Sequence, residues 1–342
     1  LTSAEATTRG LQGELEAALR SVLEPGTAIA YVNFPNMGNL GDSAIYAGAW
    51  RALEGVGAEV AVACEPRAYR RGIVRRAIGE RGTIVIHGGA NFGDLYRKQP
   101  QQTTRRRLLR DFPEARLIQL PQTIYFEDPG SSPRFLRHCR EHPDFTIMAR
   151  DQVSVERARE LGLETILAPD LAFGLGPLRP PREPSAAQAW IVREDVERTH
   201  EPGTLDDSAR DWPTGAEQRA GVTGARLRRD LAVIRGLNRV RERAPVRLRL
   251  PLTRAAARRY GRVADRRVEI AREMIAEGRV LITDRFHGHL LACLMGIPNV
   301  LLDNSYGKNR GLFETWTHRY EIARFADDPA AARELAQSLA PS

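Results

Sequence analysis

Lysine is almost missing from this chain of 342 residues: of its 51 basic residues, all but Lys98 and Lys308 are arginine. The plain reading of that bias is GC-rich codon usage. The formal net charge of +8 also sets up a field that attracts anionic substrates or an anionic membrane surface. No RNA- or DNA-binding motif accompanies the dispersed arginines, so no nucleic-acid partner is expected. Cysteine is equally scarce. Cys64, Cys139 and Cys293 are widely spaced and form no CxxC pair, which argues against a disulfide framework or a cysteine-held metal. No apolar run approaches the length of a membrane span. The opening residues lack the basic flank and apolar stretch of a signal peptide, so a cytoplasmic location is expected, with the inner face of the membrane left open. Neither a Walker A loop nor a GxGxxG fingerprint is present.

What remains is ordinary in composition, with 42% hydrophobic and 27% charged residues, enough for one large or two medium-sized cores. Short β-rich runs at 28–34, 58–63, 82–89, 115–121, 144–150 and 164–170 alternate with amphipathic helical stretches. This alternation predicts an α/β fold with a parallel sheet covered by helices. Pro177, Pro180, Pro181 and Pro184 then interrupt the pattern. We read 1–176 as an N-terminal Rossmann-like domain, 177–188 as a linker, and 189–342 as a C-terminal Rossmann-like domain. Strands are expected in the second part at 189–194, 246–252, 279–284 and 299–303. Helices are expected at 224–242, 258–277, 288–296 and 328–339. The stretch 194–218 has little periodicity and reads as a long loop.

Ligands of open α/β sheets bind at the carboxyl ends of the strands, so the residues there carry the functional reading. After the first strand, "NFPNMGNLGDSAI" offers Asn39 and Asp42 in a polar turn, with Asp42 and Ser43 suited to cap the next helix. The third ends in "HGGANFGD", where Gly88 and Gly89 can present N–H groups and Asn91 a side-chain amide. Gln122 follows the fourth strand, and its neutral amide suits a sugar hydroxyl. Arg150 and Arg193 end two further strands, and Asp170 reads as fixing a turn. In "ITDRFHGHLLACLMG", Arg285 and His287 share a face ahead of a helix N-terminus that favours an anion. Arginine supplies a planar fork for a carboxylate or phosphate, and histidine moves protons near neutral pH. His289 reads as a packing or supporting residue. Lys308 and Asn309 follow in "NSYGKNRG".

The blocks "NMGNLGDSAI", "VIHGGANFGD", "ARDQVSVERARELG", "LAPDLAF" and "ITDRFHGHLLACLMGIPNVLLDNSYGKNRG" occur in order and closely resemble the polysaccharide pyruvyl transferase family, over about residues 30 to 315. The resemblance implies a GT-B-like fold of two Rossmann-like parallel-sheet domains around an interdomain cleft. It implies transfer of pyruvate from phosphoenolpyruvate to a sugar as a ketal, with no cofactor and no metal. The acceptor would be a sugar or lipid-linked oligosaccharide of a bacterial cell-surface polysaccharide. Arg285 and His287 match the family's Arg-x-His motif, and Arg150 and Arg193 correspond to further family arginines. In this scheme His287, Arg285 and Asp42 are catalytic. Arg150, Arg193, Lys308, Asn309, Gly88, Gly89, Asn91, Gln122 and Asn39 bind substrate. The 194–218 stretch has no counterpart, which leaves the acceptor open. A glycosyltransferase using a nucleotide sugar, or a module that merely binds anionic polysaccharide, would share the basic cleft.

Overall fold

The computed structural model describes residues 2–36, 38–94, 100–128, 130, 132–195, 198–201, 204–213, 218 and 221–339. The first part of the chain contains α1 (Ser3–Arg20), β1 (Ala28–Val32), α2 (Leu40–Gly55), β2 (Glu59–Cys64), α3 (Arg71–Ile78), β3 (Thr83–Ile86) and β4 (Gly89–Gly93). It continues through α4 (Pro100–Asp111), β5 (Arg116–Tyr125), α5 (Pro133–Glu141), β6 (Phe145–Ala149), α6 (Gln152–Glu160) and β7 (Thr165–Leu167). The second part contains β8 (Ala186–Ile191), α7 (Gly221–Arg243), α8 (Val246–Ile275), β9 (Gly278–Thr283) and α9 (Phe286–Met295). It closes with β10 (Asn299–Leu302), α10 (Lys308–Thr315), β11 (Ala323–Ala326) and α11 (Pro329–Leu339).

The strands form two sheets, ordered β2-β1-β3-β5-β6-β7, with β4 also on β5, and β11-β10-β9-β8. Every pairing among the described residues is parallel. The α/β class with two Rossmann-like sheets is therefore the fold of this chain. Buried strands such as Thr83–Ile86 and Asn299–Leu302 are near-continuous apolar runs, as parallel sheets covered on both faces require. Between the sheets lies one continuous apolar core, to which Leu15, Ala44, Phe173, Tyr260 and Leu290 all belong. It spans both parts of the chain and holds the strand ends of the two sheets facing each other.

Several expected elements come out differently. The stretch 246–252 is helical, forming the first turns of α8 rather than a strand. Its alternation of Val, Leu and Arg imitates a half-buried strand. The side chains are nonetheless good helix formers, and α8 packs as a hairpin with α7. Pro251 sits inside this helix. The third strand breaks after Ile86 and resumes at Gly89. Gly88 lies at the break, where a Cβ would meet the Pro121 carbonyl oxygen at 2.5 Å. Asn39, not Asp42 or Ser43, caps α2: its Oδ1 accepts the Gly41 N–H at 2.8 Å. Helices α1, α3 and α10 and strand β11 are additions to the elements read from periodicity.

Candidate functional site

The carboxyl ends of the two sheets enclose a cavity of about 240 Å³. Asn39, Asp42, Asn91 and Arg150 line it from the first sheet. Arg193, Arg285, His287 and Lys308 line it from the second. Eight of the predicted site residues, distant in sequence, thus share one cavity. Four predicted residues stand outside it. Asn309 donates from Nδ2 to the Asp284 and Leu302 carbonyls, at 2.6 and 2.9 Å, and so ties the β9 and β10 ends together. Gln122 is wholly buried and works from behind: its Oε1 accepts the Asn91 N–H at 3.2 Å, and its Nε2 donates to the His87 carbonyl at 3.0 Å. Gly88 and Gly89 shape the strand break and are not part of the lining.

The best-held group is Arg150. It is almost fully buried, donates from Nε to Thr123 Oγ1 at 2.9 Å, and from Nη1 to Asp170 Oδ2 at 2.6 Å. Asp170 is fully buried and faces His287 as well, with Oδ2 3.5 Å from Nε2. Burial opposes the Asp170 charge. His287 and Arg150 together outweigh it, with the Ala172 N–H, and hold the carboxyl below the usual carboxylate range. One carboxylate from the first sheet therefore fixes a histidine from the second. The opposite edge of that imidazole rests against α2. A Cβ on Gly41 would stand 2.7 Å from His287 Nδ1, so only glycine leaves the ring in place.

The arginines of the second sheet are forked onto carboxylates. Arg193 donates from Nε and Nη2 to the two oxygens of Asp195, each at 2.8 Å. Arg285 holds Asp211 in the same two-pronged way, with Nη2 2.5 Å from Oδ2. Both carboxylates belong to the 194–218 stretch, of which 196–197, 202–203 and 214–217 lie outside the described residues. These pairs display the bidentate geometry that guanidinium groups offer to carboxylate or phosphate ligands. Trp212, from the same stretch, also lines the cavity and is nearly buried.

Two carboxyls here are pushed upward. Burial raises Asp42, offset in part by His287, Arg150, Arg267 and Lys308. Burial raises Asp284 to about 7, against the opposing Arg193 N–H and the charges of Arg193 and Arg285. His289, by contrast, is a core residue: buried, its pKa lowered to about 4 by burial, and bonded to Asn299 and Thr317. Residues that sequence reading undervalued are His87, Asp170, Asp195 and Asp211. His87 is buried at the end of β3, where burial lowers its pKa to about 3, and Tyr31 Oη lies 2.5 Å from Nδ1. The "PDLAF" block holding Asp170 was the available signal, since a buried aspartate after a strand needs a partner.

Two parallel-sheet layers enclosing a cleft lined by Arg, Lys, His and Asp side chains define an α/β protein with a polar, charged cavity at its strand ends. Comparison places it more narrowly. The polysaccharide pyruvyl transferase family model matches residues 39–306, and the chain belongs to that family. It is therefore a polysaccharide pyruvyltransferase. It is 29% identical over 306 residues to EpsO of Bacillus subtilis, covering 88% of each chain. It is also 29% identical over 306 residues to Pyruvyl transferase 1 of Schizosaccharomyces pombe, covering 85% of this chain and 70% of that one. A crystal structure of a functionally uncharacterised Klebsiella pneumoniae protein superposes with a TM-score of 0.59 at 18% identity, over 93% of this chain and 98% of the other. That likeness bears on the fold alone.

Proposed function

We propose that the cleft takes pyruvate from phosphoenolpyruvate and places it on a sugar hydroxyl pair as a cyclic ketal, releasing phosphate. The observation that carries this reading is the convergence of Arg150, Arg193, Arg285 and Lys308 with His287 and Asp42 on one small cavity. The donor carries a carboxylate and a phosphate. Two arginines, already forked onto Asp195 and Asp211, have the geometry to receive them, and donor binding exchanges one set of anions for the other. At about 240 Å³ the cavity falls below the ~300–1,000 Å³ common for drug-sized ligands, which favours a compact anion over a nucleotide sugar.

In this scheme His287 gives a proton to the methylene carbon of the donor, and positive charge develops at C2. The first sugar hydroxyl attacks C2 while Asp42, its basicity raised by burial, takes the hydroxyl proton. Phosphate then leaves with the electron pair of its C–O bond, and the second hydroxyl closes the ketal, giving up its proton to the departing phosphate. Asn39 and Asn91 face the acceptor side, with Asn91 fixed by Gln122 and by Arg105 Nη2 at 2.7 Å. The scheme uses the reactivity of the enol phosphate itself and calls on no cofactor. A GT-B-like domain pair accepting a sugar or lipid-linked oligosaccharide fits the same arrangement. Among the described residues no helix is long and apolar enough to cross a membrane.

Ligand-induced thermal stabilisation tests the donor. A ligand that binds only the folded state adds ~2.7 kcal/mol at a hundredfold excess over its Kd. Phosphoenolpyruvate should raise the melting temperature in a concentration-dependent way. Stabilisation by UDP- or GDP-sugars, with none by phosphoenolpyruvate, would overturn the reading.

A further inference from the structure

The unpredicted helical start of α8 leaves an unusual surface. Among the described residues four large hydrophobic side chains are strongly exposed, and three of them, Val240 (57%), Val246 (63%) and Leu248 (47%), lie at the tip of the α7–α8 hairpin. None of the described residues covers them. They are interleaved with exposed Arg239, Arg243 and Arg247.

Beside this apolar tip is a cavity of about 320 Å³, walled by Arg70, Arg241 and Arg249, with Ile73 and Glu242. Three guanidinium groups there meet one carboxylate, and that contact is loose: Arg70 Nη2 stands 3.7 Å from Glu242 Oε1. Each arginine is anchored on one side by neutral oxygens. Arg70 Nη1 donates to the Tyr69 carbonyl at 2.9 Å, Arg241 Nη1 to Asn238 Oδ1 at 2.9 Å, and Arg249 Nε to the Ala244 carbonyl at 3.0 Å. Burial and the nearby Arg70 lower the Arg241 pKa, which is what crowded like charges do. A basic pocket rimmed by aliphatic side chains matches one environment closely: a phosphate headgroup with hydrocarbon beside it.

We propose that the tip of the α7–α8 hairpin is a docking surface for a bilayer containing anionic phospholipid, with headgroup phosphates among Arg70, Arg241 and Arg249 and Val240, Val246 and Leu248 in the acyl boundary. Basic residues gain from an anionic leaflet, and short aliphatic insertions add to that attraction. Nucleic acid fits less well, because the tip has no aromatic side chain on which a base could stack. The placement also suits the chemistry. Tyr260, further along α8, donates its hydroxyl to the Pro35 carbonyl at 2.6 Å, and Pro35 lines the catalytic cavity. At 1.5 Å per residue the tip lies about 21 Å along α8 from that contact, within reach of the sugar of a membrane-held acceptor. This last point alone rests on the proposed reaction; bilayer binding requires nothing of the cleft.

Co-sedimentation with unilamellar vesicles provides the test. The wild-type protein should pellet with vesicles of equimolar phosphatidylcholine and phosphatidylglycerol and stay in solution with pure phosphatidylcholine vesicles. The doubly substituted V246D/L248D chain should bind the anionic vesicles about tenfold more weakly or worse, and separately Arg249→Gln about fivefold more weakly. Both should keep the wild-type circular dichroism spectrum, since the substituted positions do not belong to the core. Millimolar inorganic phosphate should leave vesicle binding largely intact. Wild-type protein remaining in solution with the anionic vesicles, or variants binding as tightly as wild type, would overturn the proposal. So would release by inorganic phosphate, which would make the pocket a simple anion site, or a wild-type dimer that V246D/L248D dissociates, which would make the tip a self-association surface.

Discussion

Replacing Asp170 with asparagine strikes the point where the two sheets are joined by charge. Asp170 and Arg150 are 0% and 1% exposed at the side chain and 2.6 Å apart, so asparagine leaves a buried guanidinium without its counter-charge. Removing one partner of a buried pair costs ~3–5 kcal/mol. Asparagine keeps a carbonyl oxygen for the Ala172 N–H, now accepted at 2.8 Å, so the cost should lie near ~3 kcal/mol on that scale. In a chain of this size about 1.4 °C of melting temperature follows each kcal/mol, giving a fall of about 4 °C. The pH dependence has a defined sign. The folded-state pKa of Asp170 is depressed, so its stabilisation is complete above the unfolded carboxylate value, ~3.9, and is lost as pH falls through the folded value. Thermal scans should show the full gap between wild type and D170N from pH 5 to 8 and a shrinking gap below about pH 4. A D170N melting temperature within about 1 °C of wild type at pH 7, or a gap that grows on acidification, would mean that the Asp170–Arg150 pair does not hold the fold.

Three further outcomes bear on the reaction. His287→Ala should lower turnover by ~10²–10⁴-fold while the circular dichroism spectrum stays that of the folded protein, and near-normal turnover would remove His287 from the acid role. Gly41→Ala should push the imidazole aside, because the new Cβ would lie 2.7 Å from Nδ1. The expected loss is about 10²-fold in kcat with little change in KM for phosphoenolpyruvate, and an unaltered kcat would show that the ring position is not critical. Because burial raises the Asp42 pKa, the acid limb of the kcat/KM profile should have its midpoint above ~3.9, the usual aspartate value. Residual activity of Asp42→Asn should lack that limb; an identical limb in the variant would assign it to another group.

Much of this architecture was legible in the chain because parallel sheets announce themselves through short apolar runs alternating with amphipathic helices. The strand-end rule then brought Arg150, Arg193, Arg285, His287 and Lys308 to one place, and they do share a cavity. What was illegible depends on partners remote in sequence. Asp170 reads locally as a turn residue, and only folding brings it within 3.5 Å of His287. Gln122 and Asn309 look like ligand-binding amides, yet Asn309 donates to two backbone carbonyls and Gln122 is spent on the His87 carbonyl and on Asn91. The Val246–Leu252 alternation misled for a similar reason. Periodicity reports which side chains differ in polarity, and an exposed apolar position in a helix tip satisfies a strand template as well as a buried one does.

Pyruvyl transfer from phosphoenolpyruvate leaves its record in the mass of the product. The enzyme should be incubated with phosphoenolpyruvate and an array of lipid-linked and aryl glycosides, with free phosphate measured alongside. The expected product is a glycoside carrying one pyruvyl ketal for each phosphate released, formed ~10²–10⁴-fold more slowly with His287→Ala. A glycoside that instead gains a sugar from a supplied nucleotide sugar, while phosphoenolpyruvate is untouched, would contradict pyruvyl transfer.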